Sequence, residues 1–262
     1  MSAPPTKGFT MTTKPINPFF ASRNQSATPR TPAHSDIATY AKLPAAPRNA
    51  SPVPHLTSLY HFDQQDGYGD RRYPGNCGGQ LIKDLVRFFD ARRVFDPMSG
   101  SGTCSQVCRE LNVACVSGDI HQGFDLCDVA AVQRFEPHSF DFIWIHPPYW
   151  RQKLYAEDTR DLSRATTLDA FLTRYALAIK NCSHLLKPGG ILAVLMGDYT
   201  DRDAGFIPLT YHTKRLAFEA GLRQYGCDII RFLHGASSSR KVYQTSFIPT
   251  LHDTCMLFER QS

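Results

Sequence analysis

One stretch limits the fold more than any other: Phe140-Asp141-Phe142-Ile143-Trp144-Ile145-His146-Pro147-Pro148-Tyr149-Trp150. An apolar run leads into a His-Pro-Pro-Tyr turn. Two consecutive prolines remove two backbone donors, so a sheet strand must stop there. The turn leaves an imidazole, a carbonyl and an aromatic ring at the strand's carboxyl end, where open α/β sheets hold ligands. Val94-Phe95-Asp96-Pro97-Met98-Ser99-Gly100-Ser101-Gly102-Thr103, upstream, has the same strand-then-turn design. The two loops are expected to face each other, one holding a cofactor and the other the group being modified.

The 262 residues can hold one α/β domain of ordinary size and some excess. The excess lies at the start. Ten of the 18 prolines fall before residue 56, in a segment rich in Ala, Ser and Thr with no sustained period. Such a segment buries too little apolar surface to offset its ordering entropy, so 1–52 reads as a disordered tail. Lys7, Lys14, Arg23, Arg30, Lys42 and Arg48 against Asp36 give the tail +5, the same as the whole chain, so 53–262 is near neutral. The tail either adds non-specific attraction to phosphates or is a solvated leader.

The eight cysteines (Cys77, Cys104, Cys108, Cys115, Cys127, Cys182, Cys227 and Cys255) suit reduced core thiols in a cytosolic protein better than a disulfide framework. Cys104 and Cys108 fall one helical turn apart, but no set of four zinc ligands at diagnostic spacing accompanies them, so no metal is expected. Apolar runs such as Ile191–Met196 fall far short of the roughly 20 residues needed to span a bilayer, so no membrane is expected either.

Along the chain, 55–80 reads as irregular, dense in turn signals around Tyr73-Pro74-Gly75. Helical spacing covers Gly79–Asp90, Thr103–Leu111, Thr167–Leu186 and Leu209–Tyr225, with a short helix over Asp128–Arg134. Strands are expected at Arg93–Phe95, Ala114–Ser117, Phe140–Ile145, Ile191–Met196, Asp228–Leu233 and Thr254–Glu259. Strands alternating with helices predict a mainly parallel sheet covered on both faces, the last two strands forming an antiparallel edge.

Gly100 and Gly102 allow a backbone to approach a ligand closely, and Thr103 opens a helix whose N-terminus favours an anionic group. The turn lacks the lysine of a phosphate-binding Walker loop. With Ser at position 105 it also lacks the third glycine of a nicotinamide fingerprint. Asp96-Pro97 precedes the glycines instead, and the next strand ends in Asp119, which could take both hydroxyls of a ribose. That set suits S-adenosylmethionine, its methionine portion at the glycine turn and its adenosine between Asp119 and the segment around Asp125.

Phe95-Asp96-Pro97-Met98-Ser99-Gly100-Ser101-Gly102-Thr103 resembles the cofactor motif of the amino-methylating DNA methyltransferases, the N-4 cytosine and N-6 adenine enzymes. His146-Pro147-Pro148-Tyr149 resembles their catalytic Asp/Asn/Ser-Pro-Pro-Tyr/Phe motif. Tyr73-Pro74-Gly75 is similar to the family's cofactor-capping segment, and Gly118-Asp119, Asp125-Leu126, Asp161-Leu162-Ser163, Leu186–Gly190 and Ile248–Asp253 follow family habits in order. The resemblance covers about 68–259. It implies a Rossmann-like class I methyltransferase fold over 53–262, with S-adenosyl-L-methionine held by Tyr73, Pro74, Asp96, Pro97, Gly100, Ser101, Gly102, Thr103, Asp119, Ile120 and Asp125. It implies catalysis at His146, Pro147, Pro148 and Tyr149 on a base flipped out of DNA.

The target amine is a poor nucleophile because its lone pair is delocalised into the ring. Hydrogen bonds accepted from it by the first motif residue and the Pro147 carbonyl would free that lone pair, and Tyr149 would stack on the base. Here the first residue is His146, where the family has a carboxylate, amide or hydroxyl. Imidazole accepts only when neutral. Either His146 is the acceptor, or Pro147 carries the contact with His146 auxiliary, or the site only binds. Trp150 resembles the Ser-Pro-Pro-Tyr-Trp form of N-4 cytosine enzymes, a slight lean toward cytosine. The motif order is gamma-type, and no separate target-recognition domain fits. Target choice is therefore expected from loops 150–167, 199–208 and 234–248, with Trp150, Arg151, Lys153, Arg240, Lys241 and Tyr243 meeting nucleic acid, or from a dimer or partner subunit. The expected setting is the cytoplasm of a bacterium, or a phage or mobile element. An RNA amino-methyltransferase and a catalytically silent nucleic-acid-binding protein are the competing readings.

Overall fold

A computed structural model describes residues 48–61, 67–232, 248 and 250–262. Arg240, Lys241, Tyr243 and nearly all of the 1–52 segment lie outside the described residues. Among the described residues, eight strands form one sheet in the order β1 (Leu59–His61), β9 (Ile229–Phe232), β10 (His252–Arg260), β5 (Leu186–Met196), β4 (Phe140–Ile145), β2 (Arg93–Asp96) and β3 (Ala114–Ser117), with β8 (Leu222–Gln224) also on β10. β3, β2, β4 and β5 run parallel, with Val94 level with both Cys115 and Phe142, and Ile143 level with Leu192. β10 runs antiparallel to β5 and to β9, and β1 pairs parallel with β9.

The expected mixture of parallel and antiparallel pairing is present, but β10 is not an edge. It lies between β5 and β9. Its residues Asp253–Phe258 are buried without interruption, the pattern of a strand covered on both faces rather than of a half-solvated edge. Three further segments differ from expectation. Leu59–His61 is a strand, 199–208 contains a hairpin of β6 (Tyr199–Asp201) with β7 (Gly205–Ile207), and the last helix stops at Glu219. Gly221 there takes φ +78°, a left-handed turn that ends the helix and lets Leu222–Gln224 pair as a strand.

Alternate side chains of the central strands face opposite ways. Phe95, Phe140, Ile143, Leu192, Val194 and Met256 pack into one core with α4 (Leu168–Leu185) and α5 (Leu209–Glu219). Val94, Phe142, Trp144, Ala193, Leu195 and Leu257 pack into the other, with α1 (Gln80–Phe88) and α2 (Thr103–Glu110). On α1 the buried residues Leu81, Ile82, Leu85 and Val86 form the stripe that 3.6-residue periodicity requires. α4 starts where the Thr167 side chain accepts the Ala170 amide at 3.1 Å. α3 (Val129–Val132) is one turn, capped by Asp128. No helix among the described residues is long and apolar enough to cross a membrane.

β2 leads through α2 to β3 on one side, and the chain then returns to β4 on the other side of β2. The loops after β2 and β4 therefore diverge and leave a crevice at the carboxyl ends of the strands.

One charged pair is built into this frame. Arg231 of β9 donates to Asp253 of β10 through Nε (2.8 Å) and Nη2 (2.5 Å), and through Nη1 to the Cys77 carbonyl. Both side chains are 6% exposed. Removing one partner strands the other's charge in the interior. Asp253→Ala should cost about 3–5 kcal/mol, read as a lower urea midpoint at unchanged slope. A loss under about 1 kcal/mol, the level of an exposed pair, would show that the charges are solvated after all.

Candidate active site

β2 ends at Asp96, and the chain then makes a tight backbone-bonded turn. The Gly118 amide donates to the Asp96 carbonyl (2.9 Å), Ser99 to the Gly118 carbonyl (3.0 Å), and Gly102 to the Ser99 carbonyl (2.7 Å). Gly100 (φ +47°) and Gly102 (φ +83°) are left-handed. A Cβ on Gly100 would also stand 2.7 Å from Cε1 of Tyr73, so the Tyr73 ring lies directly on the glycine turn. Tyr73 is held there by its own segment. Asn76 accepts the Thr103 hydroxyl at 3.1 Å and donates to the Tyr68 carbonyl at 3.1 Å, and Gln106 of α2 accepts the Gly69 amide at 2.9 Å.

Asp119, just beyond β3, is 7% exposed and joins the two strand ends. Its carboxylate accepts the Gly100 amide at 2.8 Å and the His121 amide at 3.0 Å, and it contacts His121 Nδ1 at 2.7 Å. That contact raises the His121 pKa. Asp125 accepts the Cys127 amide (2.8 Å) and pairs with Arg174 (3.3 Å). Asp161 accepts the amides of Ala156 (2.7 Å) and Ser163 (2.8 Å), folding the loop that carries Tyr155 toward Tyr73, ring centroids 6.2 Å apart. Asp96 differs from these clamps. It is 2% exposed, and the hydrogen bond it accepts, from Met98, is long at 3.4 Å. Burial first, and the neighbouring Cys115 next, push its carboxyl well above the usual carboxylate range.

The His-Pro-Pro-Tyr turn opens into the same space. His146 Nε2 lies 3.2 Å from the Tyr149 hydroxyl, the rings tilted by 64°. Burial raises the Tyr149 pKa, so the phenol stays neutral. Gly197, just past β5, lies against the Tyr149 ring; a Cβ there would be 2.8 Å from Cε2. The resulting cleft has about 850 Å³ of empty space, its open mouth included, and is lined by both loops. Of the expected cofactor residues, Tyr73, Pro74, Asp96, Pro97, Gly100, Ser101, Thr103, Asp119, Ile120 and Asp125 all line it. So do His146 and Pro148 of the second loop.

The residues expected to meet nucleic acid are placed differently. Trp150 is 3% exposed, donates from Nε1 to the Ala165 carbonyl at 2.8 Å, and holds φ at +47°, a conformation that a bulky residue adopts only when its surroundings enforce it. Its role here is to anchor the loop rather than to present a face outward. Arg151 stacks 4.4 Å above the Trp150 ring and makes a two-pronged ion pair with Asp201 of the β6–β7 hairpin (2.9 and 2.6 Å). Lys153 is exposed. Tyr155, His121 and Arg174 were absent from the expected set, although all three shape the cleft or its walls. An Asp two residues before His121 was the one local signal for it; Tyr155 and Arg174 act across loops that sequence spacing does not connect.

No family model matches the chain, and no curated protein matches it. Solved structures are similar to it. One, from Thermus thermophilus, is assigned as a DNA modification methylase and was solved with S-adenosyl-L-methionine. It is 20% identical, the match covers 53% of this chain and 51% of that one, and the TM-score is 0.39. A SAM-dependent methyltransferase from Archaeoglobus fulgidus is 12% identical over 70% of this chain and 94% of that one, TM-score 0.44. TrmN, also from Thermus thermophilus, is 20% identical over 69% and 48%, TM-score 0.39. The chain spans about half the length of the first of these. At such identities and TM-scores these are distant likenesses of topology alone.

The Gly197–Tyr149 contact gives a test of the site's packing. Gly197→Ala should cost about 1–3 kcal/mol as overpacking, and most of that cost should vanish in a Tyr149→Ala background. Urea denaturation of the four proteins of the double-mutant cycle measures the coupling. Additive effects would mean that the ring does not rest on Gly197.

Proposed function

We propose that the chain is an S-adenosylmethionine-dependent methyltransferase that modifies the exocyclic amine of cytosine (N-4) or adenine (N-6) in DNA. The observation that carries this reading is that residues of the Asp96–Thr103 turn line one cleft with His146 and Pro148 of the second turn, far away in sequence, at the strand-order reversal. The fit of the cofactor is supported by the chemistry of the walls. Asp96 is a buried carboxyl whose hydrogen-bond donor among the described residues, the Met98 amide, carries no charge, which suits it to a cationic group. Asp119 has accepting capacity left beside its three contacts, since a carboxylate offers about four lone-pair sites, and that capacity suits a ribose hydroxyl. Tyr73 and Tyr155, ring centroids 6.2 Å apart, add aromatic surface to the cleft lining.

When bound, the cofactor would supply an electrophilic methyl on a sulfonium, released as a thioether once the methyl is on the amine nitrogen, whose displaced proton would go to solvent. The chain's own part is positioning. The Pro147 carbonyl and His146 accept hydrogen bonds from the amine, drawing it toward tetrahedral geometry, and Tyr149 holds the base by stacking. Extruding a base from the stack costs a few kcal/mol, which that stacking partly offsets.

The deciding experiment incubates the full chain with labelled cofactor and duplex DNA, single-stranded DNA or tRNA, followed by nucleoside mass spectrometry. Label on a DNA amine is expected. Label on tRNA alone would replace DNA with RNA, and cofactor binding without transfer to any polymer would make this a silent binding protein. Asp119→Ala should weaken cofactor binding by calorimetry. Tyr149→Ala should spare it and slow transfer about tenfold or more, as loss of one base–aromatic stack implies.

Asp96→Asn separates binding from stability. The carboxyl's raised pKa means that its ionisation opposes folding once pH rises above its unfolded value. At neutral pH the variant should therefore melt no lower than the parent, yet bind the cofactor about tenfold or more weakly, the worth of a hydrogen bond to a charged group. Unchanged affinity would remove Asp96 from the cofactor site.

A further inference from the structure

Cys104 and Cys108 sit one turn apart on the buried face of α2. The fold adds what spacing alone does not. α2 packs over the β2–β3 edge of the sheet, and Cys115 of β3 rises to meet it, so the three Sγ atoms all lie within 4.8 Å of one another. None of the three is in a disulfide. We propose that Cys104, Cys108 and Cys115 bind one soft d10 metal cation, Zn(II) or Cu(I), through three thiolates.

The geometry is close to what such an ion needs. With metal–sulfur bonds of about 2.3 Å, three sulfurs around one ion stand roughly 4 Å apart. The observed spread needs only a sub-ångström contraction. The donor set is all sulfur, which selects thiophilic ions over Mg(II) or Ca(II). Binding releases the thiol protons to solvent as the ligands become thiolates.

Packing explains part of the cluster. Cys104 (1% exposed) and Cys108 (0%) could serve as small apolar groups in the core, as buried cysteines often do. Burial explains Cys115 less fully: it packs against the same core but is partly exposed on the edge strand, with the exposed Ser117 hydroxyl 3.8 Å from its sulfur. That side gives an ion a way in. A bound ion would also pin the first turn of α2 to β3, directly below the glycine turn, since Cys104 follows Thr103 and itself lines the cleft.

The full chain, reduced and stripped of metal, is titrated with Zn(II) against a chromogenic chelator and with Cu(I) against bathocuproine disulfonate. The loaded protein is then examined by X-ray absorption at the metal edge. One ion per chain is expected in at least one arm, with three sulfurs in its shell. Cys115→Ala should weaken that binding at least about tenfold, since even outer-shell partners are worth 10–100-fold, while Cys227→Ala, outside the cluster, keeps it. The sulfur count on the unmodified chain depends on no variant folding. Failure to compete in both arms, a shell with fewer than three sulfurs, or full affinity in Cys115→Ala overturns the proposal.

Discussion

The parallel strands β2 and β4 are covered on both faces, and that double burial governs everything built on them. Val94, Phe95, Phe142, Ile143 and Ile145 are each 0% exposed. Each contributes about 1.5–3 kcal/mol by leaving water, and each is thereby unavailable for chemistry. Polar function can appear only where the strands stop. β2 stops at Asp96 and β4 at Ile145, just before His146, on either side of the point where strand order reverses. The prolines after each, Pro97 and Pro147-Pro148, prevent the ladders from running on past the crevice. The same packing that stabilises the sheet thus fixes where two loops with reactive side chains meet.

The walls of that crevice are held by carboxylates. Asp119, Asp125 and Asp161 each accept backbone amides across short loops, and away from the cleft lining Asp253 pairs with Arg231. Charge-assisted bonds of this kind are about twice as strong as neutral ones, so a few of them can replace a hydrophobic core in loops too short to have one. Asp96 stands apart by its long hydrogen bond and raised pKa.

The sequence made much of this legible, for reasons that differ by element. The central strands and the helices over them follow from burial on both faces and from 3.6-residue stripes, which are local signals. The two turns were legible because proline and glycine restrict the backbone whatever surrounds them. The inward position of β10 was not, although its unbroken run from Thr254 to Phe258 was a clue, because strand order is a long-range property. The protein partners of Trp150 and Arg151 were not legible either, for a related reason. Composition says only that an aromatic and a cation occupy a loop, whereas the β6–β7 hairpin supplies the Asp201 that claims Arg151, and Ala165 supplies the carbonyl that claims Trp150. Cys115 was equally invisible as a partner of Cys104 and Cys108, since a helix and the strand after it meet only once both lie on the sheet.

His146 draws these threads to one atom. A neutral imidazole has one accepting nitrogen. If the Tyr149 hydroxyl donates to Nε2, across the 3.2 Å that separates them, the ring's acceptor is spent on the phenol and cannot receive an amine hydrogen. If Nε2–H donates to the phenol oxygen instead, the accepting nitrogen is Nδ1. On the proposed reading, then, the residue that would stack on the target base is also a hydrogen-bonding neighbour of the residue that would receive its amine. Tyr149 is packed against Gly197 along its ring edge and hydroxyl. The Pro147 carbonyl accepts under either tautomer. The turn therefore contains one acceptor that is fixed by the backbone and one that is conditional on the tautomer of the ring, an arrangement that a carboxylate at position 146 would not produce.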